Sequence, residues 1–196
     1  MGIFDGWNRF REQGQAPDSR NVRDFGVPAR SLFTSSKIFS LRGEIDVMDN
    51  DGHVVYRAES KPLSLVNETY LFNAENRKVA TMKQKIFSIH ERHFVEMENG
   101  TKFQLSNELF HIIKDITNIE EFGWQLQGDI MELNFHLYDQ NGKIIANFDQ
   151  KSLSLHDKYC ADIYQVEYEE IVVAILITLI HMIKHREAER AAASSY

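Results

Sequence analysis

The sequence predicts a β-barrel closed around one hydrophobic helix, and three observations carry that prediction. Residues 171–183, IVVAILITLIHMI, are apolar on every side of any helix they could form. Almost everything before them reads as short strands separated by Gly, Asn and Asp turns. A turn-centred unit also recurs three times along the chain. The apolar run is too short to cross a bilayer: a span needs roughly 20 residues, and this one covers about 20 Å of a core about 30 Å thick. A helix apolar all round needs walls all round, and the only walls the sequence offers are strands.

The elements follow in order. Residues 1–30 form a polar N-terminal arm marked by Gly14, Pro17, Gly26 and Pro28. Its start is the exception, because Ile3, Phe4, Trp7 and Phe10 recur at helical spacing and make a short amphipathic segment. That segment has two readings, docking onto the body of the protein or contact with a membrane surface or partner. Residues 31–186 form a single domain, with the central helix expected over 169–185 and a flexible tail over 187–196, in which the alanine-rich end from Ala188 to Ser195 fits helix or tail. Glu167, Glu169 and Glu170 precede the apolar run, and Lys184, His185 and Arg186 follow it, each sign matched to the helix dipole.

Within the domain, the stretch 139–156 repeats 73–90 without a gap. Asp139, Gly142, Ala146, Gln150, Lys151, Ser154 and His156 answer Asn73, Asn76, Ala80, Gln84, Lys85, Ser88 and His90. The same register catches Asp49 and Gly52, then Lys61, Ser64 and Leu65. Each copy reads as a strand, a tight turn, a return strand ending in Lys and a new strand beginning Ser-aliphatic. Gly or Asn supplies the positive φ expected of a primed hairpin turn. Asn99-Gly100 adds a further hairpin. A larger period pairs Phe39, Leu41, Gly43, Glu44 and Ile45 with Trp124, Leu126, Gly128, Asp129 and Ile130, as if the body had two related halves. Residues 105–119 fit a helix or a strand.

These motifs in this order resemble the LURP-one-related family, which belongs with the Tubby C-terminal-like and phospholipid scramblase proteins. The motifs that carry the resemblance are Gly43, the Asp49 to Gly52 turn, the two Gln-Lys copies at Gln84-Lys85 and Gln150-Lys151, the Gly128-Asp129 step and the apolar helix. They cover roughly residues 31–184. The resemblance implies a Tubby-like closed barrel of about twelve strands surrounding the hydrophobic helix. Relatives divide between phosphoinositide binding, lipid scrambling and defence-related roles, so the resemblance implies no reaction, and no stretch matches the Tubby phosphoinositide-binding motif residue by residue.

Composition narrows the function. Of 196 residues 43% are hydrophobic and 11% aromatic, enough for one sizeable core. A net charge of −7 argues against nucleic-acid binding, which needs clustered Lys and Arg. Cys160 is the lone cysteine and reads as a buried structural thiol. The start MGIFDGWNRF has no secretory core, and Gly6 stands where a myristoylation signal wants Ser or Thr, so the expected location is cytoplasmic, with peripheral membrane association.

Chemical motifs are sparse. Asp49, Asp51 and Gly52 fail as a calcium loop, because Val47 and Ala58 occupy two positions that need oxygen ligands. His181 and His185 lie four apart on the helix with no third ligand in the sequence, and His90 and His93 point to opposite faces of a strand. No nucleophile elbow or phosphate-cradling Gly loop is present. The expectation is therefore a non-catalytic protein without cofactor or metal. Lys61, Lys83, Lys85 and Lys151 recur near the ends of return strands and are the candidate contacts to a lipid phosphate, with Phe4, Trp7 and Phe10 as candidate membrane contacts. The competing readings are solvated lysines that guard strand edges and a protein-binding scaffold with no lipid contact.

Overall fold

In the computed structural model, described for residues 25–34, 43–61, 67–85, 92–106, 116–129, 134–153 and 156–194, twelve strands precede one long helix. The strands are β1 (Arg30–Thr34), β2 (Glu44–Met48), β3 (Val54–Lys61), β4 (Asn67–Asn73), β5 (Lys78–Lys85), β6 (Arg92–Met97), β7 (Lys102–Ser106), β8 (Ile116–Ile119), β9 (Trp124–Asp129), β10 (Asn134–Tyr138), β11 (Ile144–Leu153) and β12 (His156–Ile163). A 3-10 turn, Val166–Tyr168, leads into α1 (Glu169–Ala193). Every ladder is antiparallel. The order β7-β6-β5-β4-β3-β2-β1-β12-β11-β10-β9-β8 is an up-and-down meander that pairs its first strand with its last. The remaining seam lies between β7 and β8, which approach each other. Phe103 on β7, Phe122 in the turn after β8 and Trp124 on β9 stack across it at centroid distances of 5.3 and 4.5 Å. The expected barrel is thus present, nearly closed.

The lumen holds α1. Val172 to Ile177, Leu179, Ile180 and Met182 are all 0% exposed, so every face of the helix is covered, as the all-round apolar run requires. Lumen-facing residues of the strands, among them Leu32, Leu71, Val95, Leu126, Leu137, Phe148 and Tyr159, complete one continuous core. At the helix N-terminus Glu169 is clamped by the Arg30 guanidinium at 3.3 Å and by the Tyr56 hydroxyl, which donates to it at 2.8 Å. No helix of the described residues is long and apolar enough to cross a membrane.

The helix continues to Ala193, beyond the point where the sequence predicts a tail. The residues after Ile183 are strong helix formers, and they add side-chain pairs at helical spacing: Lys184 with Glu187 at 2.8 Å and His185 with Glu189 at 3.6 Å.

The repeated unit has one hairpin geometry. In the turns at Asp49, Asn73, Met97 and Asp139 the N–H three residues on donates back to the first carbonyl, and the first N–H donates to the carbonyl four residues on. This makes a three-residue loop with a bulge rather than the primed two-residue turn expected from sequence. The bulge residue has positive φ: Gly52, Asn76, Gly100 and Gly142. Asp49, Asn73 and Asp139 stabilise it by accepting the N–H of residue i+4, at 2.9, 3.0 and 2.9 Å. The larger period is not one structural unit. Gly43 opens a strand that runs straight into its turn, whereas Gly128 lies in β9, with β10 before the next turn. What the two share is a close neighbouring strand. A Cβ on Gly43 would meet Ser60 at 3.2 Å and one on Gly128 the Asn134 carbonyl at 2.0 Å.

Candidate functional site

The meander gives the barrel two unlike ends. Tight turns after β2, β4, β6, β8 and β10 gather at the end where α1 begins. This end is rich in carboxylates: Asp49, Asp51, Glu75, Glu98, Glu120, Glu121, Asp139, Glu167, Glu169 and Glu170, answered there by Arg30, Arg77, Lys78, Lys102 and Lys143. The opposite end receives the C-terminal half of the buried helix and the far ends of the return strands. Lys61, Lys83, Lys85 and Lys151 all belong to this second end.

Register brings them new neighbours. Lys85 pairs across the ladder with Arg92, and Lys151 with Lys158. Of these two lysines the backbone is described and the side chains are not. Lys61 and Lys83 lie on the outer wall on either side of Glu68. Lys61 donates to the Tyr70 hydroxyl at 3.1 Å and lies 4.7 Å above that ring; the same hydroxyl donates to Glu68 at 2.7 Å. Lys83 is 3.4 Å from Glu68. The Tyr70 hydroxyl raises the Lys61 pKa, and the Tyr70 hydrogen bond, followed by Lys83, holds the Glu68 carboxyl below its usual range. Lys78–Glu98 and Lys102–Glu96, at 2.8 and 2.7 Å, continue the alternation along this wall. Such exposed pairs are worth at most about 1 kcal/mol each, so a stronger anion can displace them. Phe4, Trp7 and Phe10 lie outside the described residues.

Inside the same end, the helix meets the sheet at a polar pocket of about 20 Å³, the room one water molecule needs. Asn67 and Thr69 of β4, Gln84 of β5, His93 of β6, and Thr178 and His181 of α1 line it, together with Met82 and Lys83. Thr178 donates to the Ala174 carbonyl at 2.8 Å. Burial, aided by the His93 imidazole, pushes the His181 pKa down to about 4. The histidine pairs suggested by sequence spacing therefore regroup. His181 faces His93 across the lumen, while His185 is exposed beside Glu189, and His90 lies outside the described residues. Just beyond, burial pulls the Lys184 ammonium down, but Glu187 and Tyr159 more than offset it and the pKa rises.

Asp49, Asp51 and His53 form a group of potential metal ligands at the acidic end. The Asp49 carboxylate already accepts the N–H groups of Asp51 and His53 at 3.0 and 2.9 Å. Asp139 accepts the same two bonds, from the N–H groups of Asn141 and Lys143, with no such cluster around it among the described residues, so turn formation accounts for the aspartate.

Sequence reasoning had not placed Arg92, Lys158 or the His93–His181 pocket at this end. The first two could be found by folding each hairpin about its connection, since residues equidistant from it face each other. The pocket depends on which wall the helix side touches, which no local pattern records.

Among solved structures, the X-ray structure of a protein from Arabidopsis thaliana is similar, with 14% identity over 79% of this chain and 92% of that one and a TM-score of 0.49. No curated protein matches the sequence. The family model described as LURP-one-related matches residues 30–180, most of the chain, and this protein belongs to that family.

Proposed function

We propose that this LURP-one-related barrel is a non-catalytic module that associates peripherally with anionic phospholipid through the end bearing Lys61, Lys83, Lys85 and Lys151. The observation that carries this reading is the pair of like-charged cross-strand neighbours there, Lys85 with Arg92 and Lys151 with Lys158. Like charges directly opposite each other are mutually unfavourable in a sheet, and a phosphate shared between them relieves that cost. The filled lumen supports a surface role, since α1 occupies the space in which a barrel would enclose a ligand. The acidic turn end turns the opposite way from an anionic surface and orients the approach. Phe4, Trp7 and Phe10 add shallow insertion to contacts made by the lysines.

The test is co-sedimentation of the full chain with vesicles of phosphatidylcholine alone and with added phosphatidylserine or phosphoinositide. Binding only to anionic vesicles, falling with salt, supports the reading. The substitutions Lys85→Ala and Lys151→Ala should weaken it more than Lys83→Ala, because Lys83 is already paired with Glu68. Absence of binding at low salt sinks the lipid reading and leaves the alternative favoured by the Lys61–Tyr70–Glu68–Lys83 network, a wall whose charges are matched internally and which meets protein partners.

A further inference from the structure

Where α1 meets the sheet at the lysine end, three side chains from separate elements converge. Alternation along β5 and β6 turns Ala80, Met82 and Gln84 inward, opposite Met97, Val95 and His93. Met82 and His93 are therefore diagonal neighbours on the lumen face, with Cβ atoms about 7 Å apart. They are only 3 and 4% exposed. From α1, Thr178 and His181 stand one turn apart on one face and close the same pocket. The two imidazoles are near enough for a charge on His93 to oppose one on His181. By sequence spacing the histidine pairs had no third ligand; Met82 comes from β5, a strand to which neither pair belongs.

The oxygens around the pocket are already matched. The Ser60 and Thr69 hydroxyls share a hydrogen bond of 2.9 Å, the Asn67 amide donates to Gln84 at 3.0 Å, and Thr178 donates to the Ala174 carbonyl at 2.8 Å. What these bonds frame is two imidazole rings and a thioether. Imidazole suits copper and zinc, and a thioether selects Cu(I) between them. Charge points the same way. No carboxylate is among the residues that line the pocket, and the one ammonium there, Lys83, is paired with Glu68 at 3.4 Å. A dipositive ion would be buried beside neutral donors, at a heavier desolvation cost than a monopositive one. The volume of about 20 Å³ admits a single ion, and His181, only partly buried, leaves an entry from the mouth of the barrel.

We propose that His93, His181 and Met82 form a three-coordinate Cu(I) site that ties the C-terminal half of α1 to β5 and β6. The site is independent of the lipid reading, since it lies inside the barrel and takes no ligand from the lysines of that reading.

The test is anaerobic titration of the full chain with Cu(I), without lipid, in competition with the chromogenic chelator bicinchoninate. The chain should withdraw about one equivalent, and Met82→Leu, His93→Gln and His181→Gln should each weaken binding by at least about tenfold. Met82→Leu nearly conserves volume, so it should keep the fold even where a histidine variant does not, as circular dichroism checks. Copper X-ray absorption of the loaded wild type should show two nitrogens and one sulfur at the metal. Because the ion bridges helix and sheet, Cu(I) should raise the thermal midpoint of the wild type more than that of Met82→Leu. No competition with the chelator, binding undiminished in Met82→Leu, or Zn(II) held as tightly as Cu(I) overturns the site. Cys160, the single cysteine, is the other soft ligand. Binding lost in Cys160→Ala but kept in Met82→Leu places the copper at the thiol and overturns the proposal.

Discussion

Gly128 holds φ 137° in β9 directly against the backbone of β10, where an added Cβ would stand 2.0 Å from the Asn134 carbonyl oxygen and 2.9 Å from the Phe135 Cα. Neither neighbour can retreat without breaking the ladder, so Gly128→Ala should cost at least about 3 kcal/mol. Gly142 is the control: at φ 76° a Cβ there meets nothing within 4 Å, and Gly142→Ala should cost about 1 to 2 kcal/mol, from conformation alone. Denaturant midpoints of the two variants decide. His181 supplies a second residue-scale expectation. The unfolded imidazole takes its proton near the ordinary 6.5, the folded one only at about 4. Between those values the unfolded state holds more protons, so stability must fall as pH falls from 6.5, by up to about 1.4 kcal/mol per unit. The carboxylates held low by their partners, such as Glu68 and Glu96, lose their contribution only below the ordinary carboxylate pKa of 4.5. Chemical denaturation between pH 6.5 and 5 therefore separates imidazole titration from that of the carboxylates, and His181→Gln should flatten the slope. A slope unchanged by the substitution would show that another group titrates.

At the scale of the element, α1 divides into a buried part and an exposed extension. Residues after His185 whose side chains are described face water, so ending the chain there should change stability by no more than about 1 kcal/mol. Ending it before Val172 removes the centre of the core and should leave an unfolded or aggregating chain, checked by circular dichroism and gel filtration. Leu176→Ala, at a site 0% exposed, should cost about 2 to 5 kcal/mol. The buried part was legible because no other element in the sequence is apolar on all sides. The extension was not, because its residues form helix by propensity and surface pairing, signals that a tail of Ala, Glu and Arg also displays. The hairpins divide similarly. Asp49, Asn73 and Asp139 marked the turn sites, but the choice of a three-residue loop over a two-residue one lies in the hydrogen bond from the first residue to the fifth, which composition does not encode.

For the whole molecule, one core serves both the strands and the helix, so the two should melt together. In W7F, fluorescence of Trp124, which packs edge-on against Tyr168 at 4.8 Å, should report the same transition as the helical circular dichroism signal; separated midpoints would mean that the helix can leave a standing barrel. Barrel and central helix were readable from repeats and from the length of the apolar run. The gathering of Lys61, Lys83, Lys85 and Lys151 at one end was readable only in outline, because equivalent strand ends must share an end, while the partners Arg92, Lys158 and Glu68 emerge from register.

The lumen-filling segment follows all twelve strands along the chain. During synthesis every strand is made before the surface it must pack against. At about 5 to 20 residues per second, the interval between Arg30 and Ile183 is roughly 8 to 30 s, during which a set of half-apolar strands waits on the ribosome without its centre. The nascent chain should therefore be a client of holding chaperones until its last helix emerges, and translation stalled at residue 170 should trap it there.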